Sequence, residues 1–194
     1  MNAIVKKLSP SATNMIRMDH TRVIAAFHRY DIAAKPAVKR AVVNTVCLSL
    51  EIHAQLEEEI FYPALRSVDP QLIAKSVPEH DEMRLLIATL RSLEPDGEHY
   101  DRAFMGLMHV VIHHVADEET LLLPQAELAM GDRLADLGAR MARRRLQLMA
   151  PRAGELAVNT ARSMSTNTLL VGAGAVVAAA LVVGSWKRAH RSVL

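Results

Sequence analysis

Apolar residues recur at helical spacing through the first 130 positions, and the gaps between these runs are filled by proline, glycine and aspartate. The pattern predicts four helices: about Ala12 to Ala33, Pro36 to Arg66, Pro70 to Leu93 and Glu98 to Met130. Pro36 stands in a first turn, where its missing N–H costs nothing, and Pro95-Asp96-Gly97 reads as a tight turn. Pro78, inside the third helix, predicts a bend there. Short connections between long helices force antiparallel neighbours, so the expected fold is all-α, an up-down-up-down four-helix bundle over residues 10–130.

Beyond Met130 the pattern changes twice. Residues 131–166 interleave Arg133, Arg140, Arg143, Arg144, Arg145, Arg152 and Arg162 with leucine and methionine, predicting a basic, partly amphipathic helix broken near Pro151. Such a juxtamembrane helix would lie well against anionic lipid headgroups; the absence of interleaved aromatic residues argues against a nucleic-acid partner. From Thr168 to Trp186 the chain has no charged side chain. As a helix those residues span about 28 Å, near the thickness of a bilayer's hydrocarbon core, so 168–186 is expected to be a transmembrane helix. Residues 187–194 form a basic tail with Lys187, Arg188 and Arg191. No apolar run follows Lys6 and Lys7, so no signal peptide is expected, and the expectation is a single-pass C-terminal membrane anchor with a cytoplasmic head. Gly172, Gly174, Ala175, Ala178 and Ala179 give small-residue spacings through which two anchors could meet in a homodimer.

Composition sharpens the division. Residues 1–132 hold 13 Lys and Arg against 19 Asp and Glu, and residues 133–194 hold 10 against 2, so an acidic head precedes a basic tail. With 4% aromatics and 51% hydrophobic residues the chain is neither disordered nor β-rich. A single cysteine, Cys47, excludes a disulfide framework and an all-cysteine metal site, and is expected to be a small core residue.

The chemistry lies in the histidines, eight of nine of which fall within the first 114 residues. His53-x-x-x-Glu57 with Pro63 and His114-x-x-x-Glu118 with Pro124 are one motif written twice, with proline ten residues after the histidine each time. Upstream, His20 precedes His53 by 33 residues and His80 precedes His114 by 34. Folded as a bundle, the two halves bring His20, His53, Glu57, His80, His114 and Glu118 to one seam, each i, i+4 pair pointing two donors the same way. Four imidazoles and two carboxylates are too many for one structural zinc and suit a dinuclear first-row centre bridged by the two glutamates, with non-haem iron favoured.

These residues resemble the haemerythrin-like HHE cation-binding domains, over about residues 10–130. The resemblance implies a carboxylate-bridged pair of non-haem iron ions able to take dioxygen, nitric oxide or peroxide. In one respect the chain departs from the oxygen-carrying members, which have His-x-x-x-His on the third helix: the residue one turn after His80 is Arg84. One iron would then have an open position or a substitute ligand such as Glu58, Glu119 or a tyrosine, which weakens reversible oxygen carriage as the main role.

Other groups remain in competition. His109-x-x-x-His113-x-x-x-Asp117 is itself a row on one helical face, but under the repeat His113 maps onto Ile52 and His109 onto Leu48. His28, His99 and His190 match nothing in the repeat and are expected at the surface. Glu58 and Glu119 are expected on a solvated face or as partners of the ligands. Phe27, Phe61, Leu86 and Leu107 are expected to pack the interior and keep the site dry. Three function classes follow: a membrane-tethered di-iron protein binding or sensing a small ligand; an enzyme acting on peroxide, nitric oxide or ferrous iron through the same centre, or an iron store; and a metal-free structural membrane protein.

Overall fold

The computed structural model describes residues 10–66 and 68–163. Helix α1 spans Ala12–Phe27 and α2 spans Pro36–Leu56; α2 continues without a break through a π turn, Glu57–Phe61, into α3, Tyr62–Leu65. Helix α4, Pro70–Ser92, is followed by α5, Glu98–Asp117, which runs through a second π turn, Glu118–Leu122, into α6, Leu123–Met130. Two further helices, α7 at Arg133–Met149 and α8 at Ala153–Ser163, are joined by the 3-10 turn Ala150–Arg152, where the break near Pro151 was expected.

The helix starts follow from capping chemistry. Ser11 accepts the Asn14 N–H ahead of α1, and Asp69 accepts the Leu72 N–H at 2.8 Å with Pro70 in the first turn of α4. Helix α1 stops at Phe27, six residues short of the expected end, because the chain turns Tyr30 inward against Phe104 and onto Asp101. The Asp31 carboxylate then accepts the Ala33 N–H in place of a continuing helix. Pro78 is carried inside α4. At Gly131 φ is +48°, a conformation open to glycine, and the chain reverses there into α7.

Pairings between helices fix the topology. Helix α1 meets α6 through Arg17–Glu127 and the turn just after it meets α5 through Tyr30–Asp101, while α2 and its π turn meet α4 through Glu51–Arg91 and Glu58–Arg84, so each pair of chain segments is antiparallel. Lys75 meets Asp117 and His80 meets His114, which makes α4 and α5 antiparallel and closes a ring of four. Two apolar clusters fill it. One holds Ile16, Leu56, Phe61, Leu65, Leu122 and Leu123; the other, toward the far end, holds Phe27, Val46, Cys47, Ile87, Tyr100, Phe104 and Leu107. Leu86 is half-buried against the second cluster.

Helices α7 and α8 lie outside the ring and pack on it. The apolar face of α7, with Leu134, Leu137 and Met141, joins the first cluster. Arg144 pairs with Glu59 and Arg145 with Asp19, so two of the arginines expected at a headgroup surface face acidic groups of the bundle. Among the described residues no helix is long and apolar enough to cross a membrane. The stretch 168–186 expected to do so, and the basic tail after it, lie outside the described residues.

Candidate metal centre

Between the two apolar clusters the bundle encloses six buried polar side chains: His20, His53, Glu57, His80, His114 and Glu118, none more than 4% exposed. Their donor atoms form two overlapping groups, His20, His53, Glu57 and Glu118 in one and Glu57, His80 and His114 in the other, with the atoms of each group within 4.8 Å of one another. All four imidazoles turn Nε2 inward. His20 Nε2 lies 3.3 Å from Glu118 and His53 Nε2 3.3 Å from Glu57, while His80 Nε2 lies 3.4 Å from Glu57 and His114 Nε2 3.6 Å from Glu118. The six residues picked out by the repeat therefore converge, and Glu57 is common to both groups.

The outward nitrogens show why each ring is held. Nδ1 of His20 donates to Glu119 at 2.9 Å and Nδ1 of His80 donates to Glu58 at 2.8 Å. Nδ1 of His114 donates to Glu79 at 2.9 Å, and Asp19 approaches Nδ1 of His53 at 3.6 Å. The rule is the same in both halves: the carboxylate after the glutamate of one half braces the first histidine of the other, and the carboxylate before each first histidine braces the second. A carboxylate on Nδ1 fixes the tautomer with its lone pair on Nε2, the form a metal binds. Glu58 and Glu119 are thus partners of the histidines rather than substitute ligands. Asp19 and Glu79 escaped the sequence reading; the signal was an acidic residue directly before the first histidine in each half.

Both π turns begin at an inward glutamate and end just before the Tyr62-Pro63 and Leu123-Pro124 steps. A proline ring collides with the carbonyl four residues back in a regular helix; widening the turn relieves the collision and rotates the glutamate relative to its histidine.

The halves differ at one point. Tyr62, whose repeat counterpart is Leu123, reaches into the centre: its hydroxyl donates to Glu118 Oε1 at 2.9 Å and lies 3.2 Å from Glu57 Oε2 and 3.5 Å from His80 Nε2. The tyrosine admitted among the substitutes is this one, and mismatch within the repeat was its signal. Arg84 does not enter the centre; its guanidinium holds both oxygens of Glu58, at 2.6 and 2.7 Å, and so steadies His80 indirectly.

The electrostatics are those of carboxylates and imidazoles buried together. Burial and the neighbouring Glu118 push Glu57 well above the carboxylate range, whereas Glu118, against the same burial, is held low by His20 and the other imidazoles. Burial by itself would lower His20, but Glu118 beside it pushes it up to about 9; burial brings His53 down to about 4. Burial and the two glutamates raise Tyr62 far above the usual phenol. His20 Nε2, His53 Nε2, Glu57 Oε1 and Glu118 Oε2 are buried with no hydrogen-bond partner, and Nε2 of His80 and His114 stand 3.2 Å apart. Orphaned buried polar atoms converging on one point cost several kcal/mol unless a partner such as a cation satisfies them. The donor set fits two first-row ions.

The competing row does not reach this standard. Glu79, His113 and Asp117 do gather, but His113 is 60% exposed and the Lys75 ammonium already sits on Asp117 and 3.7 Å from Glu79. His28 is tied to the Ile24 carbonyl and His99 to Arg102, both exposed; His190 lies outside the described residues.

Residues 11–126 match the haemerythrin HHE cation-binding domain. The chain belongs to this family. In fold the HHE chain resembles a haemerythrin HHE cation-binding domain-containing protein from Mycobacterium kansasii, with TM-score 0.65 and 21% identity over 80% of this chain and 99% of that one. It is also 27% identical over 110 residues to a DNA nickase from Nostoc sp., an alignment covering 56% of this chain and 31% of the nickase. The HHE chain thus spans about a third of that relative's length, and helices α7 and α8 fall beyond the residues matched to the family.

Proposed function

We propose that this HHE protein holds two non-haem iron ions between His20, His53, Glu57, His80, His114 and Glu118, with both glutamates bridging, and binds or senses dioxygen or a related small ligand. The observation that carries the size of the ligand is the cavity beside the imidazoles. It measures about 10 Å³ and is lined by Val23, Leu50, Met83, Val111 and Val115 together with the rings of His20, His53 and His114. A space that small beside the imidazoles favours a diatomic gas or peroxide over a bulky substrate. When bound, the metal pair supplies an open coordination position and exchangeable electrons. The chain supplies fixed Nε2 donors, apolar walls that exclude bulk water, and a phenol proton at Tyr62.

That phenol favours a second reading, turnover of peroxide or nitric oxide, since a buried hydroxyl against both glutamates can move a proton to or from a bound ligand. The test is metal content per full chain with the visible absorption spectrum before and after exposure to air. Two irons and oxygen-sensitive charge-transfer bands, both lost in His53→Ala, are expected; zinc alone or less than one metal overturns the reading. Sustained peroxide consumption that disappears in His53→Ala would assign the enzyme.

The tether belongs to the same proposal. The uncharged run 168–186 supports a C-terminal anchor that keeps the head at the cytoplasmic membrane face, and partition of the full chain with membranes, released by stopping at residue 163, is the measurement.

A further inference from the structure

The two halves of the centre are braced alike in their carboxylates but not in what holds those carboxylates. Glu79, behind His114, has Lys75 at 3.7 Å, a half-exposed side chain of its own helix α4. Asp19, 3.6 Å from Nδ1 of His53, is clamped by the two terminal guanidinium nitrogens of Arg145, with Nη1 to Oδ1 at 2.6 Å. Arg145 is mostly buried and comes from α7, outside the residues matched to the family. Burial opposes a charge on Asp19, and the guanidinium with the His53 imidazole more than offsets it.

Arg145 reaches Asp19 because α7 lies unusually close to the start of α1. A Cβ on Gly138 would stand 2.1 Å from the Pro10 carbonyl oxygen, 2.8 Å from the Ser11 carbonyl carbon and 2.9 Å from the Ala12 nitrogen. These are backbone atoms, so no side-chain adjustment can admit even a methyl group. Gly138 is therefore the contact that sets the approach of α7.

We propose that α7 is a wall of the metal centre: docked on α1 through Gly138, it places Arg145 on Asp19 and thereby orients His53, so that α7 docking and metal occupancy of the His20–His53 half are one linked equilibrium. Arg145 is a positioning residue acting through Asp19. Linkage is reciprocal, so metal entering that half tightens α7 and undocking α7 loosens the metal. The helix leading to the C-terminal segment thereby reports the state of the centre. This rests on the dinuclear reading above.

The experiment is a ferrous titration of the full chain in detergent, with bound metal counted, alongside hydrogen–deuterium exchange of α7 with and without metal. Wild type is expected to take two ions. Arg145→Gln should keep one and bind the other about 10- to 100-fold more weakly, the usual cost of removing a partner behind a ligand histidine. Because Arg22 already stands 3.6 Å from Asp19, Arg22→Gln with Arg145→Gln closes that route of compensation. Gly138→Val should weaken the same ion without touching a ligand or its brace, Arg145→Lys should recover part of the loss, and exposed Arg140→Gln should bind as wild type. Metal should slow exchange in wild-type α7 about tenfold or more, a readout that needs no variant and so survives a misfolded one. Two tight ions in the double variant, equal loss of both ions, or exchange in α7 indifferent to metal overturns the proposal. Failure of wild type to bind two ions overturns the dinuclear reading and this proposal with it.

Discussion

Single side chains decide how the centre meets protons. Burial would lower His20, but Glu118 beside it pushes it up to about 9, and burial with the neighbouring Glu118 raises Glu57, so metal entry is expected to compete with protons at this end of the site. Metal affinity is therefore expected to rise with pH from 6 toward 9 and to level off above it, measured by competition with a chelator of known pH dependence. The same shift works on stability. A histidine raised in the folded state contributes fully below its ordinary value near 6.5, and that contribution is lost as pH climbs through about 9. Tyr62→Phe keeps the ring beside Phe61 but removes a hydroxyl that donates to a buried carboxylate. The metal-free variant is expected to be about 1.5–3 kcal/mol less stable in urea denaturation, with two ions still bound on loading. His53, Glu57 and their repeat partners were legible in the sequence because an i, i+4 spacing is local. Asp19, Glu79 and Arg145 were not, because what they hold lies 34, 35 and 126 residues away.

At the scale of elements, the repeated proline explains a departure from plain helix. The sequence predicts long helices over Pro36 to Arg66 and Glu98 to Met130, and the chain follows both paths, but with a π turn in each. Pro63 and Pro124 stand just beyond those turns, so replacing either with alanine restores an N–H and lets the turn close to a regular one. Pro63→Ala and Pro124→Ala are each expected to leave helix content by circular dichroism unchanged and to weaken metal binding, since the inward glutamate rotates relative to its histidine. Helix boundaries were less legible than helices. The end of α1 depends on Tyr30 finding Phe104 and Asp101, which no local pattern contains.

For the molecule as a whole, α7 packs on the head. The helix pattern ends the bundle at Met130, and α7 buries Leu134, Leu137 and Met141 in its first apolar cluster. At roughly 1.5–3 kcal/mol for each such side chain, their loss takes a large part of a domain's stability. A chain ending at residue 130 is expected to melt well below one ending at residue 163, and metal to raise the melting temperature of the longer chain, both followed by thermal unfolding. Within the arginine-rich segment, Arg144 and Arg145 meet Glu59 and Asp19, so part of its charge is neutralised by the acidic head.

The sequence by itself determined the helical class, the duplicated architecture and the six residues that converge, since periodicity and repeat spacing are properties of one chain read in order. Only the tertiary structure decided which carboxylate stands behind which histidine, that Tyr62 breaks the symmetry of the halves, and that Arg145 of α7 lies on Asp19. Those depend on distances between helices far apart in the chain, and such distances are set by packing.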